Sequence, residues 1–266
     1  MMKVIKLSTY FYDYFAKEYR SEASVILLPS EITKGITQRS VQSCRKVLKN
    51  VFLQYRDGRK LPVAERLVKE YREYVAGRSD DKAKSRYNAF VYYYMSGAYI
   101  GSKAIAGKLN VSKETVFNYL NGCFDELLVL CMGVCGIKVQ GMTGEDIVRM
   151  IICNFRLLSH MTDQYTMELF RCGTDRAAVE ESRKRTQRVI QALMAAVERY
   201  DKYCYDEDTR IDTDIRKADI LHECLAGASP SAIAEKYGVS PETVYGDMRE
   251  NERRLSALLF DVEALI

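Results

Sequence analysis

A stretch of thirteen residues occurs twice in this chain and constrains its fold more than any other feature. AIAGKLNVSKETV spans residues 104–116, and AIAEKYGVSPETV follows over residues 232–244, 128 positions later. The two copies agree at nine of the thirteen positions. Such agreement within 266 residues indicates a duplicated structural unit.

Composition and periodicity predict an all-α protein. Hydrophobic residues make up 47% of the chain, which has only four prolines and 15 glycines. Apolar residues recur at helical spacing nearly throughout, and we find no convincing strand. We predict two helical halves, 1–138 and 139–266, each ending in one copy of the repeat, with long helices over about 144–172 and 175–204.

Each copy carries the signals of two helices joined by a tight turn. In the first and second copy these are a left-handed turn residue (Asn110, Gly238), a capping serine (Ser112, Ser240) and a threonine three residues later (Thr115, Thr243). Ile105 and Val116 are expected to face inward in the first copy. The pattern predicts helix-turn-helix units at about 102–121 and 230–250.

The second copy and the residues after it, AIAEKYGVSPETVYGDMRENERRLSALLF, resemble the helix-turn-helix of region 4 of bacterial RNA polymerase sigma factors. They are also similar to small phage and mobile-element transcription regulators that share this module. The resemblance covers about 218–262 and, more loosely, about 88–130. It implies that the second helix of the unit enters the major groove of DNA and that its early exposed residues contact bases.

The outward-facing positions of each second helix are the candidate DNA contacts. They are Ser112, Lys113, Glu114, Thr115, Asn118 and Asn121 in the first copy, and Ser240, Glu242, Thr243, Arg249 and Arg253 in the second. Arg254 is a further candidate for the DNA backbone. Lysine binds guanine or phosphate, and asparagine pairs with adenine. Because Pro241 and Gly246 replace Lys113 and Asn118, we expect the first copy to be the main reader of the DNA sequence, that is, the unit that makes most of the base contacts.

The distribution of charge favours the first copy as well. Residues 45–86 have 13 basic and 6 acidic side chains, whereas residues 216–254 have 6 and 7. Since phosphate contacts supply much of the affinity for duplex DNA, a nearly neutral unit is at a disadvantage. The basic run SRKRTQR (182–188) is a second candidate for phosphate contact, but the exposed face of a long helix is the favoured interpretation. The tyrosines at 92, 93, 94 and 99 could stack on bases, but helical packing is favoured.

No pattern typical of an enzyme or of a metal site is found. The eight cysteines are scattered without a CxxC motif, and there are only two histidines, His160 and His222. Buried free cysteine is the expected state. We therefore predict no enzymatic activity, no metal and no cofactor, and interpret Asp212 in the acidic stretch DEDTRIDTD as a helix cap.

The expected function is sequence-specific binding of double-stranded DNA to regulate transcription in a bacterium, a phage or a mobile element. RNA polymerase is a candidate partner of the second unit, and the helices within 144–204 are candidates for pairing in a homodimer. The alternative is an architectural or protein-interaction component of a mobile element. We expect a cytoplasmic protein, since no secretory signal and no apolar run of about 18–20 residues is found.

Overall fold

The computed structural model describes residues 38–78, 80–97, 99–137, 142–159, 174–206 and 211–260. These ranges contain ten α-helices and no strand, so the all-α prediction is confirmed. The helices are α1 (Gln38–Arg56), α2 (Pro62–Ala76), α3 (Asp81–Phe90), α4 (Ser102–Leu109), α5 (Lys113–Met132), α6 (Gly144–Ser159), α7 (Thr174–Tyr205), α8 (Asp212–Ala226), α9 (Pro230–Tyr237) and α10 (Pro241–Phe260). A π-helical turn, Val91–Met95, extends α3, and a 3-10 turn, Gly133–Gly136, follows α5.

Local signals account for most helix ends. Pro62 occupies the first turn of α2, where its missing N–H is not needed. The Asp80 carboxylate caps α3 by accepting from the Lys82 N–H at 2.9 Å. The expected capping role of Asp212 is wrong, because Ile211 precedes α8 and Asp212 lies within its first turn.

The two predicted halves share one apolar core. Helix α5 packs against α1, α3 and α4 and also against α6 and α7, while α10 packs against α6, α7, α8 and α9. One continuous cluster of buried apolar residues includes side chains from all of these helices except α9. The predicted boundary at residue 138 and the expected helical segment 160–172 lie outside the described residues.

The C-terminal halves of α5 and α10 are the centre of this core. Residues 127–132 of α5 and 254–260 of α10 are buried without interruption. The end of α5 is also held by hydrogen bonds from α7. The Ser182 hydroxyl donates to the Met132 carbonyl, and the Thr186 hydroxyl accepts from the Val134 N–H at 3.0 Å. Within the run SRKRTQR, Ser182 and Thr186 are therefore core residues, whereas Lys184 and Arg188 are exposed.

One surface expected from the sequence, an apolar stripe for pairing two chains, is not exposed in the structure. The apolar residues expected to pair α6 and α7 between chains are already buried within one chain, namely Leu157, Leu158, Val189, Leu193 and Val197. Pairing of two chains through these residues is therefore wrong, while homodimer formation itself stays a prediction; Met161, expected on the same stripe, lies outside the described residues.

One described segment, Lys113–Gly136, is long and apolar enough to span a membrane by length and composition. Since 72% of its most apolar window is buried, this segment serves as a core helix in the described chain.

The similarity between the two parts of the chain extends upstream of the thirteen repeated residues. Two tyrosines three residues apart are buried on α2, Tyr71 and Tyr74, and two more on α7, Tyr200 and Tyr203. On α2, Tyr71 donates to the Glu126 carboxylate of α5. On α7, the Tyr200 hydroxyl accepts from Arg254 of α10 at 3.3 Å. Each tyrosine pair thus packs on the helix that follows the turn of its own repeat.

An ion pair occurs at equivalent positions in both parts with its charges exchanged, half-buried in the first part and buried in the second. Arg86 of α3 lies 3.0 Å from Glu126 of α5. At the positions 128 residues later, Asp214 of α8 lies 3.1 Å from Arg254 of α10. Burial alone would lower the pKa of Arg254, but Tyr200, Asp214 and Glu250 outweigh it and raise that pKa.

We expect Arg254→Met to lower the free energy of unfolding by about 3 kcal/mol. The exchange removes the guanidinium that pairs with both Asp214 and Glu250, and it leaves the buried Asp214 carboxylate with Lys217, at 2.9 Å, as its remaining cation. Arg253→Met is the matched control. Its side chain is 36% exposed and pairs with Glu250, so the expected loss is below about 1 kcal/mol. Urea unfolding of both variants measures the difference, and equal losses would contradict the assignment of Arg254 to the core.

Candidate nucleic-acid interface

The two repeated segments form helix pairs with the same turn. We call α4–α5 the first helix pair and α9–α10 the second. Asn110 and Gly238 both adopt the left-handed conformation, with φ/ψ of 53°/47° and 63°/33°. The next residue closes the turn in each case, because the Val111 N–H donates to Ala106 and the Val239 N–H to Ala234, both at 3.0 Å.

The serine caps are formed as predicted. Ser112 accepts from the Thr115 N–H at 3.0 Å, and Ser240 accepts from the Thr243 N–H at 3.2 Å. Each serine hydroxyl also hydrogen-bonds the threonine hydroxyl, at 2.8 Å and 3.2 Å respectively. These four side chains therefore fix the direction in which the second helix of each pair begins.

Buried residues at the corner hold the two helices of each pair together. Ile105 and Val116 are fully buried in the first pair, and their equivalents Ile233 and Val244 are buried in the second. The first pair belongs to the main core, whereas the second has a small cluster of its own with Ile220 of α8. Packing at the corner leaves the opposite face of each second helix available to solvent.

The exposed face at the start of α5 combines the predicted polar contacts. Lys113, Glu114, Asn118 and Asn121 are all exposed, and Thr115 is half-buried. In the part of the chain that the structure describes, the backbone N–H groups of Lys113 and Glu114 donate to no acceptor, as is usual in the first turn of a helix. The face therefore offers an ammonium group, a carboxylate, two carboxamides and two backbone amide donors.

A basic flank borders this face. Arg45 of α1 forms an ion pair with Asp125 and donates to the Asn121 carbonyl at 3.3 Å. Lys49, one helical turn further along α1, is exposed, as are Lys103 and Lys108 of α4. Not all of the basic region 45–86 is available, however. Arg78 and Arg86 both bind Glu126, at 3.8 Å and 3.0 Å.

The exposed face of the second pair is chemically different. Glu242 and Arg249 are exposed and Thr243 is half-buried, but Pro241 has no N–H and no charge at the position of Lys113. The Glu223 carboxylate binds Lys236 and raises its pKa. Arg253 pairs with Glu250 at 2.8 Å. Most of the cations near this face are thus occupied by carboxylates.

Arg254 is the one candidate backbone contact that the structure rules out. Its side chain is 4% exposed and is enclosed by Asp214, Glu250 and the ring of Tyr200. A guanidinium in this position cannot reach a phosphate. The expectation that Arg254 contacts the DNA backbone is wrong, because this arginine neutralises a buried aspartate.

Sequence reasoning missed an exposed aromatic ring on each second helix. Phe117 is 45% exposed on α5, and Tyr245, its equivalent on α10, is 54% exposed. An aromatic residue follows the repeated valine in both copies, so the signal was present in the sequence. The Lys113 ammonium lies 5.9 Å from the centroid of the Phe117 ring.

The tyrosine cluster near the first pair divides between packing and exposure. Tyr94 is buried, and its ring centroid is 5.0 Å from that of Phe90, which confirms a packing role for this residue. Tyr99 is 74% exposed and lies beside Arg56, with 5.5 Å between the ring centroid and the guanidinium carbon. The exposed ring of Tyr99 is therefore not part of the core.

Nothing in the described ranges forms a metal site, because they contain no group of three or more His, Cys, Asp or Glu side chains that could hold an ion. The buried cysteines are not activated nucleophiles. Burial raises the pKa of the Cys123 and Cys131 thiols to about 12.

Comparisons with protein-family models, curated proteins and solved structures find no match to this chain.

The turn geometry predicts opposite effects for two identical exchanges in the second pair. Gly238→Ala is expected to lower the free energy of unfolding by about 1 kcal/mol, because an L-residue resists the left-handed conformation. Gly246→Ala, within α10, is expected to raise it by roughly 0.5–1 kcal/mol. An added Cβ meets no atom within 4 Å at either position, so backbone conformation alone distinguishes them. Thermal unfolding of both variants tests the sign, and a loss of stability in both would contradict the prediction.

Proposed function

We propose that the protein is a sequence-specific double-stranded DNA-binding regulator of transcription and that the first helix pair is its main reader. The observation that carries the proposal is the exposed group of hydrogen-bonding side chains Lys113, Asn118 and Asn121 on a helix whose other end is fixed in the core. A helix that recognises bases needs exposed hydrogen-bonding side chains and a fixed position, because hydrogen bonds to base edges form only when donors and acceptors are held in register.

The dimensions of this face suit the major groove. From residue 113 to residue 121 an α-helix rises about 12 Å, enough to reach three or four consecutive base pairs. The groove itself is about 12 Å wide and admits one helix. Asn118 and Asn121 would pair with adenine, and Lys113 with guanine or phosphate. The free amides at the start of α5 and the nearby Lys49 would bind flanking phosphates.

In this proposal the second helix pair contributes less to DNA affinity. Its face presents Glu235 where the first pair has Gly107, while Glu242 matches Glu114. Pro241 also removes both an amide donor and a cation at the start of the helix. Contact with a protein partner such as RNA polymerase suits that face better than contact with phosphates. Because the two pairs share one chain, any DNA contact that the second pair makes would add affinity through effective concentration.

Selection of the full chain against a random duplex library tests the proposal, and one enriched motif is the expected result. Asn118→Ala should weaken binding to that motif about tenfold, because a bidentate adenine contact is lost. Asn88→Ala, which removes an exposed asparagine of α3 outside both helix pairs, should leave affinity unchanged. If affinity for DNA falls steeply with salt but no motif is enriched, the sequence-specific proposal is wrong and the architectural alternative is favoured. If the chain does not bind DNA at all, a protein partner is favoured instead.

A salt titration tests the role of Lys113 separately. We expect Lys113→Ala to reduce the slope of log K against log salt concentration by about one, as loss of one phosphate contact does. Lys236→Ala is the control, since this lysine is paired with Glu223 in the second helix pair. Slopes that change equally in the two variants would contradict the assignment of the main reading role to the first pair.

A further inference from the structure

We propose that Phe117 recognises thymine in duplex DNA through van der Waals contact with the base's 5-methyl group. The inference rests on the proposed function and adds a base preference to it. Among the described residues, the exposed large apolar side chains are Phe117, Tyr99, Met194, Tyr205 and Tyr245. Phe117 is the aromatic ring in this group that has no polar atom, so it gains nothing from water or from a hydrogen bond.

The position of Phe117 is part of the reading face. Lys113, Phe117 and Asn121 follow one another at intervals of four residues and form one row along α5. Asn118 lies beside this row and is exposed. The core does not require Phe117, because the adjacent Val116 is fully buried and Leu120, three residues later, is 5% exposed. These two residues supply the packing of this part of α5.

The repeat supplies an independent observation. At the equivalent position of α10, Tyr245 is also aromatic and also exposed, although the polar residues around it differ from those of α5. Single exposed apolar residues are common on proteins and need no explanation. An exposed ring at the same place on both helices is different, since it indicates a position whose function is contact with something outside the chain.

The chemistry of the major groove identifies what such a ring would contact. The base edges there consist of hydrogen-bond donors and acceptors, with one apolar group, the C5-methyl of thymine. An A·T pair presents this methyl group beside the N6 and N7 atoms of adenine, which suit an asparagine side chain. Phe117 and Asn118 together therefore favour a site rich in A·T pairs under the first turns of α5.

Replacing each thymine of the selected site with deoxyuridine, one at a time, tests this inference, because the exchange removes only the methyl group. For the unmodified full chain we expect one position at which affinity falls about fourfold, the factor that corresponds to burial of one methyl-sized group. With Phe117→Ala the same DNA exchange should cause no further loss. With Tyr245→Ala, the matched control in the second pair, the fourfold loss should remain.

The two proposals fail in different ways. A selected site at which no deoxyuridine exchange weakens binding overturns the role of Phe117 and leaves sequence-specific binding intact. A loss that persists in Phe117→Ala also overturns it, because another residue then contacts the methyl group. Failure to enrich any sequence overturns the proposed function and this inference with it. Since Phe117 is half-exposed, Phe117→Ala should fold. The deoxyuridine exchanges measured with the unmodified chain test the inference without any protein variant.

Discussion

The burial of the C-terminal half of α5 is the constraint on which the rest of this structure depends. Residues 127–132 are enclosed by helices from both parts of the chain. The Ser182 hydroxyl donates to the last carbonyl of the helix, and the Thr186 hydroxyl accepts from the Val134 N–H in the turn that follows. Because an α-helix is stiff over this length, fixing its last turns fixes the direction of its first turns. The exposed face at Lys113 is therefore held in place by packing that lies about 25 Å away along the helix axis.

The second helix pair keeps this scaffold but presents another surface. The left-handed turn, the serine cap and the buried corner have the same geometry in both pairs. Some exposed positions differ, such as Lys113 and Pro241 or Asn118 and Gly246, whereas the buried corner residues Ile and Val agree. Selection for packing and selection for contacts act on different faces of the same helix. This separation allows a duplicated unit to change what it binds without losing its fold.

Much of the fold followed from local signals, and the failures share a physical cause. The turn at Asn110 and the cap at Ser112 were predictable because each depends on neighbouring residues. The burial of Arg254 was not, because its partner Asp214 is 40 positions away in the sequence. The exposure of Phe117 was missed because hydrophobicity alone places a phenylalanine in the core. The matching tyrosines of α2 and α7 were hidden by a one-residue shift in spacing, 129 positions instead of 128.

The exchanged charges of the two equivalent ion pairs bear on how a chain with two similar units avoids misfolding. Two similar units in one polypeptide can mispair, with a helix of one unit docking on the partner helix of the other. Here the wrong combination would bring Arg86 against Arg254 and Asp214 against Glu126, two like-charged contacts in a poorly hydrated environment. Both correct combinations bring opposite charges together. The reversed charges thus favour packing of each helix within its own part of the molecule and disfavour packing on the equivalent helix of the other part.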